Sequence, residues 1–257
     1  MRKLILLLLF IPLLLFSQNT NSVYNDLDKL IEKNIDPSQP GIIANIYSET
    51  SDLDWSKSFG INDISKNNLL DKFDQFRIAS VTRTFVAATI LRLWEEDKIN
   101  IDHPISKYIS KEHYNILIKG NYNPEIITVR NLLNHSSGLY DHTNHSNFFN
   151  KVFENPSYKW TRTEQISACI EWGNPIGSPG NQFKYSDTGY VILGGIIENI
   201  TGLSLDSSVK ILLKFEKLNI NDTWFEDDRT DRRVHQYFRN GKDAYNIDPS
   251  LDYFGGG

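Results

Sequence analysis

Ser80 and Arg83 are the residues on which chemistry in this chain most readily rests. They stand in the run Phe76-Arg77-Ile78-Ala79-Ser80-Val81-Thr82-Arg83-Thr84-Phe85, which feeds an apolar segment ending near Trp94. From Phe85 to Leu91 only Thr89 is not apolar, so the pattern predicts a helix with no wet face, and such a helix is buried. Ser80 would open its first turn, where unpaired backbone N–H groups and the positive dipole end stabilise an alkoxide or a tetrahedral oxyanion. Residue 83 lies one turn on, on the same face. Acyl transfer by a serine also needs a group to take the Oγ proton, donors for the oxyanion and an acid for the leaving group. Arg83 stays protonated near neutral pH, so it supplies a fixed charge and not a base.

Other reactive residue types read more plainly. His135, Asp141, His142 and His145 fall close together, but without a His-x-x-x-His helical spacing or evident supporting partners, so no metal is expected. Cys169 is the single cysteine and sits in an apolar stretch, which predicts a buried structural thiol with no disulfide. No cofactor motif is found.

The elements that must position Ser80 can be taken in order. Val23, Leu27, Leu30 and Ile31 have helical spacing and predict a surface helix packed on a sheet. Ile42 to Tyr47 is apolar and β-branched, a buried strand; Leu53, Trp55 and Phe59 alternate beyond a polar turn, so the two form a hairpin of the main sheet. After the Ser80 helix, the stretch from Ile126 to Leu139 reads as an N-capped short helix that a Ser136-Ser137-Gly138 turn stops. Tyr140 to Trp160 is polar, aromatic and weakly periodic, and is expected to be a long loop bordering a cleft. Tyr185-Ser186-Asp187 then precedes a helix with Tyr190, Val191, Leu193 and Ile197 in its core face, capped by Asp187 or Thr188 and closed by Gly202. Leu205 to Leu213 is a further helix, and Asn240-Gly241 between apolar runs signals a hairpin. Strand pair, helices, hairpin is the order of an α+β protein in which a helical region interrupts a sheet.

The 257 residues suffice for a sizeable core, and 40% hydrophobic with 23% charged is ordinary globular composition. Met1-Arg2-Lys3, thirteen apolar or Pro residues and Ser17-Gln18 have the layout of a signal peptide over residues 1–18, leaving a domain over 19–257. The apolar run is shorter than the roughly 20 residues of a membrane span, so no stable span is expected. Loss of Arg2 and Lys3 would take the net charge from −5 to −7. With no basic run, that balance excludes nucleic acid as a partner.

Ser80-Val81-Thr82-Arg83, the Leu132-Leu133-Asn134-His135-Ser136-Ser137-Gly138 segment and Tyr185-Ser186-Asp187 together resemble the serine hydrolases related to class C β-lactamases, penicillin-binding DD-peptidases and esterases. The resemblance implies a β-lactamase/transpeptidase-like fold, an antiparallel sheet flanked by helices with an inserted helical region. It also implies Ser80 as nucleophile and Tyr185 as the group that accepts and returns the proton, with the basic residue at 83 keeping both poised. The histidine of the middle segment, His135, is implied to hold a loop by hydrogen bonds, with a direct part in catalysis as the alternative. The implied partner is a small molecule or peptide: a cell-wall peptide, a β-lactam or an ester, met in the periplasm or outside the cell. Two departures mark this chain. The family motifs are Ser-x-x-Lys and Tyr-x-Asn, whereas here Arg83 and Asp187 stand in place of the Lys and the Asn, and a guanidinium and a carboxylate are matched for a direct pair. The family's third motif, a Lys/His-x-Gly strand, is absent, so the C-terminal strands are expected to be missing and the early hairpin to carry an open edge. A silent homologue that binds cell-wall peptides and a truncated product without function are the alternatives.

Overall fold

The computed structural model describes residues 22–36, 40–223, 225, 233–238 and 241–245. They fall into two compact units. One holds the residues up to Phe76 together with 233–245, and the other runs from Arg77 to 225. The expected plan of a helical region set into a β region is therefore realised in the chain order.

The first unit begins with helix α1 over residues 22–34. Strands β1 (Ile42–Ser48) and β2 (Leu53–Phe59) form the predicted antiparallel hairpin, with Ile46 opposite Trp55. Asp28 of α1 accepts from Trp55 Nε1 at 2.8 Å and Lys57 Nζ at 3.0 Å, so α1 is fastened to β2 largely by polar bonds. Two expectations are corrected here. The hairpin belongs to no larger sheet among the described residues: it is a two-stranded sheet, and β3 (Ile61–Asp63) and β4 (Asn68–Leu69) form another. Nor is β1 buried, since Ile42, Ile46 and Tyr47 are exposed. An apolar β-branched run specifies a strand; burying it also requires a neighbour on each face. The residues flanking Gly241 pair as the hairpin signal predicts, Ala244 N–H donating to Gln236 O at 2.7 Å and Phe238 N–H to Lys242 O at 2.8 Å. Asn240 lies outside the described residues.

The second unit is helical: α2 (Thr82–Glu95), α3 (Lys111–Lys119), α4 (Val129–Leu133), α5 (Ser146–Glu154), α6 (Arg162–Trp172), α7 (Asp187–Thr201) and α8 (Leu205–Leu212). Its core joins Val86, Ile90 and Leu93 of α2 to Leu132 of α4, Ile166 and Cys169 of α6 and Val191 to Ile197 of α7. Helix α7 is the axis, in contact with α2, α4, α6 and α8. One of its glycines allows close approach: a Cβ at Gly195 would stand only 2.9 Å from Arg162 Cδ, whereas one at Gly189 would meet Leu132 O at an ordinary 3.7 Å. Gly202 ends the helix at φ +70°, as predicted.

Helix α2 corrects the prediction of burial on every side. Val86, Thr89, Ile90 and Leu93 are buried, but Leu91 and Trp94 are exposed. Apolar content gives what a helix can bury, and here its helical neighbours α7 and α8 cover only part of it. The expected loop over Tyr140 to Trp160 instead contains a 3-10 turn at His142–Asn144 and α5. Phe148 and Val152, four apart, anchor α5 in the interior with neither exposed.

Candidate functional site

Ser80 sits in a 3-10 turn, Ala79–Val81, immediately before α2 and not within its first turn. Ala79 has φ +43°, a left-handed conformation that a non-glycine residue adopts at a cost of about 1–2 kcal/mol. Ser80 is exposed. The Tyr185 hydroxyl donates to Ser80 Oγ at 3.1 Å, joining residues more than a hundred positions apart.

Arg83 follows on the first turn of α2 and is buried. Its Nη2 forms an ion pair with Oδ1 of Asp187, the first residue of α7, and both side chains are only 7% exposed. The same guanidinium stands over two rings, 4.5 Å from the centroid of Tyr185 and 5.6 Å from that of Tyr190. Asp187 is held from its other side, Oδ2 accepting from Thr143 Oγ1 at 2.7 Å. Burial pushes the Asp187 carboxyl up to about 7. The Arg83 charge acts in the opposite direction, and in this pair we take both groups as ionised at neutral pH, because a buried cation left without its anion is the costlier state. The cap of α7 corrects the prediction. Ser186 is the N-cap residue, but its hydroxyl is turned to Tyr140 O at 3.2 Å and caps no helical N–H. Asp187 is held by its ion pair, and the Thr188 hydroxyl donates to Tyr140 O at 3.0 Å.

The α4 segment supplies the support behind Tyr185. Thr128 and Asn131 form a reciprocal capping box, and Asn131 Nδ2 donates to Ser136 Oγ at 3.0 Å to set the following turn. Gly138 is required there twice over: φ is +76°, and a Cβ would lie 2.3 Å from Gly177 O. His135, at φ +56°, accepts from Lys184 N–H through its carbonyl at 2.7 Å and from Ser186 N–H through Nδ1 at 3.2 Å. Its ring stacks on Tyr185 with centroids 4.6 Å apart. Burial, and then the Arg83 charge, hold His135 below the usual imidazole range. The resemblance had implied a histidine that holds a loop, and the loop is the one carrying Tyr185.

Residues that the sequence did not tie to Ser80 complete the site. Asp141 receives Asp187 N–H at 3.3 Å, Thr143 Oγ1 at 2.9 Å and Asn144 Nδ2 at 3.0 Å, so it organises the turn that presents Thr143 to Asp187. The Asp-x-Thr-Asn pattern after Gly138 carried that signal, since short acceptors bond the backbone two or three residues on. The other histidines are structural. His142 is fully buried, its Nδ1 2.9 Å from Thr188 Oγ1, and burial holds it down to about 3. His145 Nδ1 accepts from Asn147 N–H at 3.2 Å as the cap of α5. Among the described residues no group of three or more His, Cys, Asp or Glu is placed to hold a metal ion. Cys169 is buried as expected, its thiol pushed up to about 12 by burial.

Comparison with known proteins bears on this arrangement. A family model described as Beta-lactamase matches residues 30–256. Protein flp of Staphylococcus aureus (strain N315) is 28% identical over 185 residues, which are 71% of this chain and 34% of that protein. Penicillin-binding protein 4* of Bacillus subtilis (strain 168) is 27% identical over 181 residues, 69% of this chain and 36% of that protein. Among solved structures, a D-stereospecific amidohydrolase from Streptomyces sp. is 26% identical with a TM-score of 0.67, covering 82% of this chain and 60% of its own. The D-amino acid amidase of Ochrobactrum anthropi SV3 complexed with D-phenylalanine is 22% identical with a TM-score of 0.71, covering 91% and 65%, and shares the fold. The chain thus spans about a third of the length of the curated relatives it matches.

Proposed function

The chain belongs to the Beta-lactamase family and has its β-lactamase/transpeptidase-like fold, and from that premise we propose that it is an exported serine hydrolase acting through an acyl-enzyme on D-alanyl peptides, β-lactams or small esters. The observation that carries the reading is the 3.1 Å contact between the Tyr185 hydroxyl and Ser80 Oγ. In the reactive form Tyr185 has given up its phenolic proton, and as a phenolate it accepts the Oγ proton across that contact while Oγ attacks the substrate carbonyl carbon. Collapse of the tetrahedral intermediate breaks the bond to the leaving nitrogen or oxygen, which takes the proton from Tyr185. Water then attacks the Ser80 ester, giving one proton to Tyr185, and Oγ recovers it as the acid product departs.

Arg83 takes no part in proton transfer on this reading. Its fixed charge over the Tyr185 ring stabilises the phenolate that accepts the Ser80 proton, and Asp187 keeps the guanidinium there. Relatives named for penicillin binding and for D-stereospecific amide hydrolysis favour D-configured amides and β-lactams among these substrates. Export rests on residues 1–18, read as a signal peptide that leaves a hydrolase domain over 19–257. No helix among the described residues is long and apolar enough to cross a membrane.

A second reading, a cleft that binds cell-wall peptides without turnover, draws on the Arg83–Asp187 pair, because a guanidinium drawn to a carboxylate supports Tyr185 less. Intact-mass spectrometry decides between the two. The protein is exposed to a fluorophosphonate and, separately, to a penicillin, with Ser80→Ala as control. One adduct per chain that is lost in Ser80→Ala is the expected result. A folded protein that takes up neither reagent refutes the hydrolase reading and favours the binding one.

A further inference from the structure

We propose that His135 is the positioning residue for Tyr185, holding the phenol at Ser80 by gripping the chain on both sides of it. The residues immediately before and after Tyr185 donate their backbone N–H groups to one and the same residue. Lys184 donates to the His135 carbonyl at 2.7 Å and Ser186 to His135 Nδ1 at 3.2 Å. Between these two bonds the imidazole lies against the Tyr185 ring, at 4.6 Å and inclined by 28°. The backbone of Tyr185 is fixed at both ends and its ring from one face, with the Arg83 guanidinium 4.5 Å from the ring centroid. A tyrosine with two free side-chain torsions needs such restraint to keep its hydroxyl within reach of one acceptor.

The grip has a chemical condition. Nδ1 accepts the Ser186 N–H only while it carries no proton, so the single ring proton of neutral His135 belongs on Nε2. Protonation would turn the acceptor into a donor aimed at another donor and would set a second cation beside Arg83. The groups facing His135 are Arg83 from α2, Tyr190 from α7, Asp141 from the intervening turn, and Phe183, Tyr185 and Ser186 from the segment it holds. Arg83 opposes protonation and Asp141 favours it; burial and Arg83 prevail, so the grip is lost only on the acid side of the ordinary imidazole value of 6.5. The inference deepens the hydrolase reading, in which Tyr185 takes the Ser80 proton, but the geometric part stands apart from it.

Two variants and two readouts test it. Asparagine tolerates φ +56° and offers Oδ1 to the Ser186 N–H without titrating; leucine keeps bulk and offers no acceptor. The first readout is the rate of fluorophosphonate labelling at Ser80 against pH. The wild type should show an acid limb below 6.5, His135→Asn should lose that limb while labelling within about threefold of wild type above neutrality, and His135→Leu should label at least about tenfold slower. The second needs no activity: in protein with ¹³Cζ-labelled tyrosine, the Tyr185 signal, identified by its loss in Tyr185→Phe, should titrate with His135 in the wild type. It should stop titrating in His135→Asn and broaden in His135→Leu. A Tyr185 signal indifferent to pH and unchanged in His135→Leu overturns the proposal, as does a folded His135→Leu that labels at the wild-type rate with the same limb. If the wild type is not labelled at all, the hydrolase reading fails while the tyrosine signal still decides the role of His135. Should His135→Leu not fold, His135→Asn alone decides, through loss or retention of the acid limb and of the Tyr185 titration.

Discussion

Arg83 and Asp187 are each almost withdrawn from water, and neither would be tolerated there as an ion by itself. Their coupling makes a pH-dependent prediction. In Arg83→Leu the carboxyl of Asp187 keeps its burial and loses its cation, so its folded value should lie near the value of about 7 that burial dictates, against 3.8 for the ordinary group. Between those values the folded variant holds a proton that the unfolded chain has released, and stability therefore falls as pH rises. Arg83→Leu should be closest to wild type in acid and lose about 4 kcal/mol relative to that limit by pH 8, less if water reaches the site. Urea unfolding at a series of pH values measures this, and a variant whose deficit is flat with pH would show that Asp187 is not ionised by its partner. At this scale the sequence was informative where chemistry alone determines the outcome. A guanidinium and a carboxylate in two neighbouring motifs predict their own contact, and they make it. The grip of His135 was not legible in detail, because it depends on a φ of +56° and on backbone groups fifty residues away.

Helices declare themselves when their caps and spacing agree. The short capped helix that became α4, stopped by Ser136-Ser137-Gly138, and the end of α7 at Gly202 were evident from residue type alone, while the pairing of Thr128 with Asn131 was not. Helix α5 was hidden because polar and aromatic residues surround its two anchors, Phe148 and Val152, and its cap is His145, an uncommon capping residue. What no element reveals in isolation is its partner, which is why burial of α2 and β1 was overestimated while their type was not. The glycines of α7 show how partner identity can be tested. At Gly195 an added methyl meets Arg162, whose Nη2 is paired with Glu198 at 2.9 Å and which is not free to move aside. At Gly189 the nearest atom, Leu132 O, is at ordinary contact distance, 3.7 Å. Gly195→Ala should therefore destabilise by about 1–3 kcal/mol despite better helix propensity. Gly189→Ala should be neutral or stabilising by up to about 1 kcal/mol. Thermal unfolding of the two variants side by side checks the contrast; equal effects would mean that α7 and α6 are not packed through Gly195.

The division of the chain into two units separates support from chemistry. Ser80, Arg83, His135, Tyr185 and Asp187 all belong to the helical unit, which also contains the continuous apolar core. Among the described residues the β unit has two sheets of two strands each, and Ile42, Ile46, Tyr47, Leu69 and Phe73 within it are exposed. Two-stranded sheets with open apolar faces are marginal, so the two units should differ in local stability. Hydrogen exchange read by mass spectrometry should find the amides of β1 and β2 exchanging at least about a hundredfold faster than those of α7 between Val191 and Ile197, since local opening free energies span the range from near zero to the global value. The functional corollary follows from where the site residues lie. At a urea concentration that removes protection from β1 and β2 and leaves α7 protected, Ser80 should still be labelled by a fluorophosphonate at a rate close to that in buffer, because the Tyr185–Ser80 contact and the Arg83–Asp187 pair are both internal to the helical unit. If protection in both units and labelling of Ser80 vanish together, the units unfold as one, and the stability of the site depends on strands that contribute none of its residues.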